Sequence, residues 1–386
     1  MSPSSNAGVS NHGDSMTVSG TCMIHLTDMN ILNHIAGVAT SLPIACAMTT
    51  ATALHAAHAG DQAPPGDVVV RTPASYDPGT PTPLLIMLHG YGSPSGESME
   101  QWLQLWPHAN TNGFLYATPT GNVDLYGNNF WNATDSCCNF GNADVDDVAY
   151  LVELIETIKS NYNVDQDRVH LLGYSNGAFM SHRMACEHGD LIASITTIAG
   201  VTWNDPEACP ATDSVHVLQI HGTNDEVVLY NGGAWDPARP YPGAVETTEQ
   251  WASKNGCLLE GVESPDRIDF DANVPGAEGR HAEYTNACHP NGSATIWRLE
   301  GSTHTIQMTD DARAGIFAFM RNHPKTDAGC TGDVDGDAVI DGADLVQLLG
   351  DWGDCTDDPC MTDINGDGTI DGIDVTNLLG AWGPCP

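Results

Sequence analysis

The sequence predicts an α/β fold, in which a mostly parallel sheet carries helices on both faces, followed by a small repeated module. Three observations favour this organisation. Between residues 66 and 321, short apolar runs alternate with segments of helical periodicity, which is typical of successive strand–helix units. The 386 residues are enough for one large domain and an additional module. From residue 333 onward, the sequence repeats itself with a period of 30 residues.

These boundaries divide the chain into four parts. We predict a leader at residues 1–59, a large domain at 60–321, a linker at 322–332 and a small module at 333–386.

The charge composition excludes several partners. The chain has 12 Lys and Arg against 50 Asp and Glu, a formal net charge of -38. So few cations cannot form a basic patch, and we expect no nucleic-acid partner and no anionic membrane surface as partner. After the leader no run of about 18 apolar residues occurs, so we also expect no membrane span.

The leader resembles a secretory signal peptide. Residues 31–59 are weakly apolar and rich in Ala and Thr, and they end in Ala-His-Ala, a pattern of signal-peptide cleavage sites. No Lys or Arg precedes Arg71, so the usual positive region is missing, and Met16 or Met29 stays open as the start. The alternative is a disordered N-terminus.

The cysteines favour the same compartment as the leader. Of 12 cysteines, two lie in the leader, six in the large domain and four in the tail at residues 327–386. Even numbers in each mature part are typical of disulfides formed in an oxidising compartment. We therefore expect a secreted, extracellular protein.

The strands of the large domain are predicted from short apolar runs bounded by turn residues. They lie at residues 68–70, 84–88, 114–118, 169–173, 195–199, 215–220 and 294–299.

The helices between these strands are predicted from apolar residues at spacings of three and four. The first covers Val145 to Ile158, with Asp144 or Asp146 in position to cap it. The others lie at residues 177–187, 244–256 and 311–321.

A serine motif stands between a predicted strand and a predicted helix. Residues 173–177 read Gly-Tyr-Ser-Asn-Gly, and glycines two positions before and after Ser175 permit the sharp turn that exposes a nucleophile. The alternative role of Ser175 is that of an ordinary helix N-cap.

A serine nucleophile needs a base, and the base needs an acid to orient it. Asp225 follows strand 215–220 and His304 follows strand 294–299, at the strand ends where functional groups of open α/β sheets gather. We predict Asp225 as the acid and His304 as the base. The sequence leaves open Asp213 and Glu226 as alternative acids, and His221, His281, His289 and His323 as alternative bases.

The oxyanion formed in such a reaction needs preorganised donors. The backbone amide of Asn176, directly after Ser175, is one candidate. The second is the amide of Tyr91, in the His-Gly-Tyr-Gly loop that follows strand 84–88.

Five motifs follow one another along the large domain. They are HGYG at 89–92, VDDVAY at 145–150, GYSNGAFMSHRMACE at 173–187, HGTND at 221–225, and Trp251 with NGC at 255–257. In this order they resemble secreted α/β-hydrolase esterases of the polyhydroxybutyrate depolymerase and feruloyl esterase family, which also includes acetylxylan esterases. The resemblance covers about residues 66–321 and implies the triad Ser175, Asp225 and His304.

The resemblance also bears on cysteines and tryptophans. It implies a bridge between Cys257 and Cys288, and it makes Cys186 and Cys209 plausible partners for the adjacent pair at 137–138. Six cysteines allow 15 pairings, so the connectivity stays open. An aromatic wall for the substrate could include some of Trp102, Trp106, Trp131, Trp203 and Trp235, although each is more often a core residue.

The module contains two 12-residue loops with oxygen-bearing side chains at alternate positions, the pattern of a Ca²⁺ loop. From Cys330–Cys355 to Cys360–Cys385, 14 of 26 positions are identical. We predict two structural Ca²⁺ sites, and no cofactor for catalysis. The predicted ligands are Asp333, Asp335, Asp337, Val339, Asp341 and Asp344 in the first loop, and Asp363, Asn365, Asp367, Thr369, Asp371 and Asp374 in the second.

These repeats resemble type I dockerins, which implies paired loop–helix units and a possible cohesin-type partner. The positions that dockerins commonly fill with Ser or Thr for that contact are Gly342-Ala343 and Gly372-Ile373 here. Four cysteines at matching positions indicate two bridges that stabilise a very small domain.

Together these features predict a secreted serine esterase that cleaves feruloyl or acetyl esters of plant or algal wall polysaccharide. A polyhydroxybutyrate depolymerase is the closest alternative, and a non-catalytic anchoring or scaffold protein is an alternative of another class. A peptidase has no feature in its favour.

Overall fold

A computed structural model of the chain describes residues 65–325, 332–334, 339–355, 360, 362–365 and 368–384. The predicted leader and most of the predicted linker lie outside these residues.

The large domain contains a nine-stranded sheet with the order β1-β3-β2-β6-β7-β8-β13-β12-β11. The five neighbouring pairs from β3 to β13 are parallel, and the outer pairs are antiparallel. Two small hairpins, β4–β5 and β9–β10, lie outside this sheet. The strands are β1 (Val70–Arg71), β2 (Thr82–Leu88), β3 (Leu115–Ala117), β4 (Asn122–Val123), β5 (Asn129–Phe130), β6 (Val164–Tyr174), β7 (Ser194–Ile198), β8 (His216–Gly222), β9 (Gly233–Asp236), β10 (Arg239–Tyr241), β11 (Val262–Ile268), β12 (Gly279–Tyr284) and β13 (Ser293–Leu299).

Within residues 65–325, six α-helices accompany these strands. The longest helix, Asp147–Asn161, is capped by Asp146, one of the two predicted candidates. The Asp146 carboxylate accepts the Ala149 amide and so satisfies a free amide of the first turn. The helices are α1 (Gly96–Leu103), α2 (Trp106–Thr111), α3 (Asp147–Asn161), α4 (Asn176–Glu187), α5 (Ala244–Lys254) and α6 (Asp310–Asn322).

The central strands are buried on both faces. Along β2, Leu84, Ile86 and Leu88 belong to one apolar core, while Leu85 and Met87 belong to another. Side chains of a strand alternate between faces, so each face of the sheet carries its own core. The first core includes residues of α3, α4 and α5, and the second includes residues of α1, α2 and α6. The predicted mostly parallel sheet with helices on both faces is confirmed.

Two strands that the sequence did not predict extend the sheet beyond β13. Strand β11 has exposed residues at most positions, and β12 alternates little between buried and exposed. They form because each adds a ladder of backbone hydrogen bonds to an existing edge, and this requires no apolar pattern.

The large domain contains three disulfides. Cys257 is bonded to Cys288, as the resemblance implied. Cys186 and Cys209 are bonded to each other, and Cys137 is bonded to Cys138. The expectation that Cys186 and Cys209 partner the adjacent pair is therefore wrong, because the chain brings the end of α4 to the turn at Pro206–Ala208.

The described part of the module has two equivalent halves. Each half has a short strand, a helix that begins after an aspartate, and a second short strand. The elements are β14 (Val339–Ile340), α7 (Gly342–Gly350), β15 (Gly353–Asp354), β16 (Thr369–Ile370), α8 (Gly372–Gly380) and β17 (Gly383–Pro384).

The two halves of the module exchange strand partners. β14 pairs with β17 and β15 pairs with β16, so each half completes a ribbon of the other. Ile340, Leu348, Ile370 and Leu378 form a small shared core. Cys355 is bonded to Cys360, and Cys330 and Cys385 lie outside the described residues.

None of the helices in the described part of the chain combines the length and the apolar character that crossing a bilayer requires.

Burial of neutral histidines makes the fold sensitive to acid. Burial lowers the pKa of His89 to about 4 and that of His170, His182 and His216 to about 3. An unfolded histidine has a pKa of about 6.5. Between these values the unfolded chain binds protons that the folded chain does not bind, so stability falls as the pH falls.

We therefore expect the free energy of unfolding to decrease between pH 7 and pH 5, by up to about 1.4 kcal/mol per pH unit for each such histidine. Burial raises the pKa of Glu100 and of Glu278, so these two carboxyl groups change the stability in the opposite sense and favour the folded state as the pH falls. Urea unfolding at pH 7, 6 and 5 measures the change. An unfolding free energy that stays constant over this range would contradict the expectation.

Candidate active site

Ser175 lies at a sharp turn between β6 and α4. Its backbone has φ 52° and ψ -119°, in a region that residues other than glycine rarely occupy. Its amide donates to the Ile198 carbonyl oxygen at 2.8 Å. Ser175 occupies the N-cap position of α4, but its hydroxyl makes no capping hydrogen bond. The alternative role as an ordinary N-cap therefore does not describe this serine.

The two glycines of the motif are required by close backbone contacts. A Cβ atom on Gly173 would lie 2.1 Å from the Gly177 carbonyl oxygen. A Cβ atom on Gly177 would lie 2.1 Å from the Leu88 carbonyl oxygen. The helix can start directly above the sheet only because both positions lack a side chain.

Three predicted side chains meet at the carboxyl ends of β6, β8 and β13. The distance from His304 Nε2 to Ser175 Oγ is 3.1 Å, and the distance from His304 Nδ1 to Asp225 Oδ2 is 2.7 Å. Asp225 is buried, whereas 12% of the His304 side chain is exposed. The base is therefore accessible to a substrate, while its acid is shielded from water.

The Asp225 carboxylate is held by several donors. Its Oδ1 accepts the amides of Val227 and Val228 at 2.8 and 2.9 Å. Burial alone would raise the pKa of Asp225, but hydrogen bonds from His221 and His304 hold the pKa well below its usual value. The carboxylate is therefore ionised at neutral pH and can orient the imidazole of His304.

The loops that carry Asp225 and His304 are joined directly. The Asn224 amide donates to the Ser302 carbonyl oxygen at 3.0 Å, and the Gly301 amide donates to Thr223 Oγ1 at 2.9 Å. The Tyr174 hydroxyl, next to the nucleophile, donates to the His304 carbonyl oxygen at 2.7 Å. These bonds hold the imidazole over Ser175.

The loop that contains Tyr91 is positioned by a buried neutral histidine. The Gly121 amide donates to His89 Nε2 at 2.9 Å, so the proton of the ring is on Nδ1, which donates to the Gly90 carbonyl oxygen at 2.8 Å. In a trans peptide the N–H points opposite to the C=O. The Tyr91 amide therefore points away from the His89 ring.

Trp131 connects this loop to the nucleophile turn. The Asn176 side chain accepts the Trp131 amide at 2.7 Å and donates to its carbonyl oxygen at 2.9 Å, and the indole of Trp131 donates to the His89 carbonyl oxygen at 3.1 Å. Within residues 65–325, the backbone amides of Tyr91 and Asn176 donate to no other protein group. Both are therefore available to an oxyanion.

The alternative acids and bases lie elsewhere. Asp213 precedes β8, at the end opposite to Asp225, and Glu226 is exposed. His281 Nε2 contacts the Asp266 carbonyl oxygen, His289 lies against Gly256, and His323 Nδ1 donates to the Phe319 carbonyl oxygen. Of the alternatives, His221 alone reaches the triad, and it contacts Asp225 rather than Ser175.

A chain of buried hydrogen bonds leads from Trp251 in α5 to Asp225. The sequence did not indicate this chain. The Trp251 indole donates to His182 Nδ1 at 2.9 Å, so His182 carries its proton on Nε2, 3.3 Å from Gln219 Oε1. Gln219 Nε2 in turn donates to His221 Nδ1 at 3.3 Å. His221 Nε2 then donates to the Val228 carbonyl oxygen at 2.8 Å and lies 3.3 Å from Asp225 Oδ2. Each donor fixes the tautomer of the next ring.

Of the tryptophans that could line a substrate site, Trp235 is the exposed one, at 41%. Trp131 and Trp203 are buried, and Trp102 and Trp106 are partly buried in the second core. Trp235 lies on the β9–β10 hairpin, and its ring is 6.3 Å from the exposed ring of Phe140.

The predicted Ca²⁺ loops are described in part. Asp335, Asp337 and Asp367 lie outside the described residues. The last carboxylate of each loop, Asp344 or Asp374, is fully buried. Each accepts the amide of the aspartate three residues earlier, at 2.8 Å for Asp344 and 2.7 Å for Asp374.

The chemistry of these loops fits a hard cation, because residues 327–386 include 14 Asp, whose carboxylate oxygens are the ligands such a cation prefers, and no Lys or Arg that would compete with it. In the described part of the chain, no group of three or more His, Cys, Asp and Glu side chains is arranged to hold a metal.

The chain is similar to known esterases. The profile of a family described as esterase PHB depolymerase matches residues 74–249. Feruloyl esterase B of Piromyces equi is 31% identical over 203 residues, 50% of this chain and 36% of that protein. A probable feruloyl esterase C of Aspergillus niger is 26% identical over 52% of this chain and 65% of that protein. The bifunctional acetylxylan esterase/xylanase XynS20E of Neocallimastix patriciarum is 27% identical over 42% of this chain and 22% of that protein.

The chain thus spans between about a fifth and two thirds of the length of these relatives. The family profile includes Tyr91, Ser175 and Asp225 and ends before His304. The matched residues 74–249 contain five of the six strands that form the parallel part of the sheet, β2, β3, β6, β7 and β8.

The close contact at Gly177 leads to a prediction. We expect Gly177→Ala to destabilise the protein by at least about 2 kcal/mol, because the new methyl group would overlap the backbone of β2. Thermal unfolding measures the loss. Gly66→Ala is the matched control, since a Cβ atom there meets nothing within 4 Å. Equal melting temperatures for the two variants would contradict the described turn.

Proposed function

We propose that this protein is a serine carboxylic-ester hydrolase that acts on esters of a polysaccharide. The observation that carries the proposal is the pair of hydrogen bonds that joins Asp225 to His304 and His304 to Ser175. A nucleophile, a base within reach of it and a buried acid behind the base are the parts that acyl transfer needs.

In the first half of the reaction, Ser175 Oγ attacks the ester carbonyl carbon and His304 Nε2 takes its proton. Asp225 accepts the Nδ1–H of His304 and stabilises the imidazolium. The tetrahedral intermediate then collapses, and His304 returns the proton to the leaving alcohol. The products of this half are the free alcohol and an acyl group on Ser175.

The oxyanion of the intermediate is bound by the amides of Tyr91 and Asn176. Hydrogen bonds to His89 and Trp131 orient both donors before substrate arrives, so the protein does not reorganise during the reaction.

In the second half, water takes the place of the alcohol. His304 removes a proton from water, the hydroxide attacks the acyl carbon, and the intermediate releases the carboxylic acid. The proton returns from His304 to Ser175 Oγ. Each half moves one proton and breaks one ester bond, so the enzyme is regenerated.

The proposed substrates are feruloyl or acetyl esters of plant or algal wall polysaccharide. The names of the relatives, feruloyl esterase and acetylxylan esterase, support the two acyl groups and a xylan. The family description favours a second candidate, the hydrolysis of polyhydroxybutyrate. A side-by-side assay on methyl ferulate, acetylated xylan and a polyhydroxybutyrate film separates these substrates.

We also propose that the protein is secreted and that its module binds two Ca²⁺ ions. Four disulfides among the described residues support an oxidising compartment. The duplicated loops and their buried closing carboxylates support the Ca²⁺ sites. The ions would stabilise the module, and a cohesin-type protein remains a proposed partner.

We expect Ser175→Ala to abolish hydrolysis of p-nitrophenyl acetate, with a loss of roughly 10⁴-fold or more in kcat. It should also prevent labelling by a fluorophosphonate probe. Ser253→Ala, on the exposed face of α5, is the matched control and should retain full activity.

Turnover retained by the Ser175→Ala variant would refute the assignment of the nucleophile. A wild-type protein that neither labels nor hydrolyses any activated ester would support the alternative of a non-catalytic scaffold.

Removal of Ca²⁺ should destabilise the module. A ligand at 100 times its dissociation constant stabilises a fold by about 2.7 kcal/mol, so we expect the unfolding of the module to shift to lower temperature in a chelator and to recover with added Ca²⁺. Differential scanning calorimetry of the full chain measures both states.

Asp374→Asn should weaken the Ca²⁺-dependent shift, because it removes the closing charge of the second loop. Asp351→Asn is the control, since Asp351 follows α7 and is not among the predicted ligands. A melting profile that is the same with and without chelator would overturn the proposal of Ca²⁺ sites.

A further inference from the structure

A cavity of about 400 Å³ lies beside the proposed active site. It is formed by the segment 132–142 on one side and by the β9–β10 hairpin on the other. Ligand cavities typically enclose about 300–1,000 Å³, so this space is large enough for a small ligand.

Three contacts connect the cavity to the catalytic groups. The ring of Phe140, in its wall, lies 5.4 Å from the ring of Tyr91. The ring of Trp235, in the opposite wall, lies 6.0 Å from the ring of Phe179, one turn of α4 after the nucleophile. Asn176 Nδ2 donates to the sulfur of Cys137, which also lines the cavity, at 3.7 Å. A group bound in the cavity would therefore lie next to a scissile ester.

The cavity offers an exposed aromatic surface. The side chains of Phe140 and Trp235 are 47% and 41% exposed, although both are large and apolar. Their rings are tilted at 81° to each other, with centroids 6.3 Å apart. The ring of Trp235 also packs against the ring of Tyr241, with centroids 4.6 Å apart. A rigid, exposed aromatic pair of this kind is typical of a binding surface.

The rest of the lining is polar. Besides Phe140, Trp235 and Cys137, every lining residue carries an amide, a hydroxyl, a carboxylate or a guanidinium group. Asp135, Asn142 and Arg239 are exposed, and the ion pair between Arg239 and Asp236 is long, at 4.0 Å. These groups can donate to and accept from a ligand with several hydroxyls.

The combination of two aromatic rings with a polar lining indicates whether the cavity fits the acyl group or the sugar of an ester substrate. An aryl acyl group is apolar over both faces and needs a pocket with an apolar lining. A sugar ring presents C–H groups on its face and hydroxyls around its edge, so it packs on an aromatic ring while its edge meets polar side chains. The lining contains the carboxylates of Asp135 and Asp236 and the guanidinium of Arg239. Because the carboxylates outnumber the guanidinium, the lining favours a neutral sugar over a uronate, which is itself an anion.

We propose that this cavity is a glycosyl subsite, which binds a neutral sugar of the alcohol part of the substrate against Trp235 and Phe140. The inference rests on the proposed function, and it adds that the polysaccharide is recognised through its sugar rather than through its acyl group. The ester oxygen then extends from the bound sugar toward Ser175.

The first experiment compares specificity constants for three soluble esters: acetylated xylo-oligosaccharides, methyl ferulate and p-nitrophenyl acetate. Trp235→Ala should lower kcat/KM for the oligosaccharide ester at least about fivefold more than for either of the other esters. The loss should appear in KM. Trp235→Phe keeps an aromatic face and should restore most of the preference.

Trp352→Ala is the matched control, because Trp352 is an exposed tryptophan of the module, at 54%. It should leave the ratio between the three substrates unchanged. Equal losses on methyl ferulate and on the oligosaccharide ester in Trp235→Ala would assign the cavity to the acyl group and overturn the proposal.

The second experiment does not require catalysis. Ser175→Ala protein should bind unesterified xylo-oligosaccharides with a change in tryptophan fluorescence, and the double variant Ser175→Ala/Trp235→Ala should lose this binding. Binding that is the same in both variants, or absent in the first, would overturn the glycosyl subsite. An inactive wild-type protein that still binds the sugar through Trp235 would instead refute the proposed hydrolase function and leave the subsite standing.

Discussion

The sharp backbone turn at Ser175 is the constraint on which the site depends. A positive φ at a non-glycine residue costs of the order of 1–3 kcal/mol, so surrounding contacts must hold it. Those contacts are the backbone approaches that Gly173 and Gly177 permit, and the hydrogen bond from the Ser175 amide to β7. The turn leaves the serine hydroxyl without a capping role and directs it to His304. Relaxation of this turn would lose both the nucleophile and the amide of Asn176.

Buried hydrogen bonds position the other parts of the site relative to this turn. His89 holds the loop of Tyr91, and Trp131 joins that loop to Asn176. On the other side, His221 contacts Asp225 at the end of a chain of donors that begins at Trp251. Because burial keeps the rings of His89 and His182 neutral, each of them has one donor and one acceptor nitrogen, and its neighbours determine which is which. The same burial makes the fold sensitive to acid.

The fold class and much of the site follow from local patterns in the sequence. The run at 84–88 and the periodicity of α3 predict a strand and a helix because they record which residues are buried. The order Ser175, Asp225 and His304 could be predicted because each follows an apolar strand, and parallel strands end at one edge. Strands β11 and β12, the last two of the sheet, were missed because they pair through backbone hydrogen bonds and carry no apolar pattern.

From the sequence alone one can deduce the alternation of strands and helices, the candidate triad and the duplicated loops, because spacing along the chain records them. Tertiary structure alone decides that His221 contacts Asp225, that Cys186 pairs with Cys209, and that Trp131 is buried while Trp235 faces a cavity. The disulfide and the surroundings of the tryptophans depend on which distant segments meet in space, and the contact of His221 with Asp225 depends on the path of the loop after β8. Residue types and their local spacing place the ends of parallel strands at one edge of the sheet, but they do not record these particular contacts.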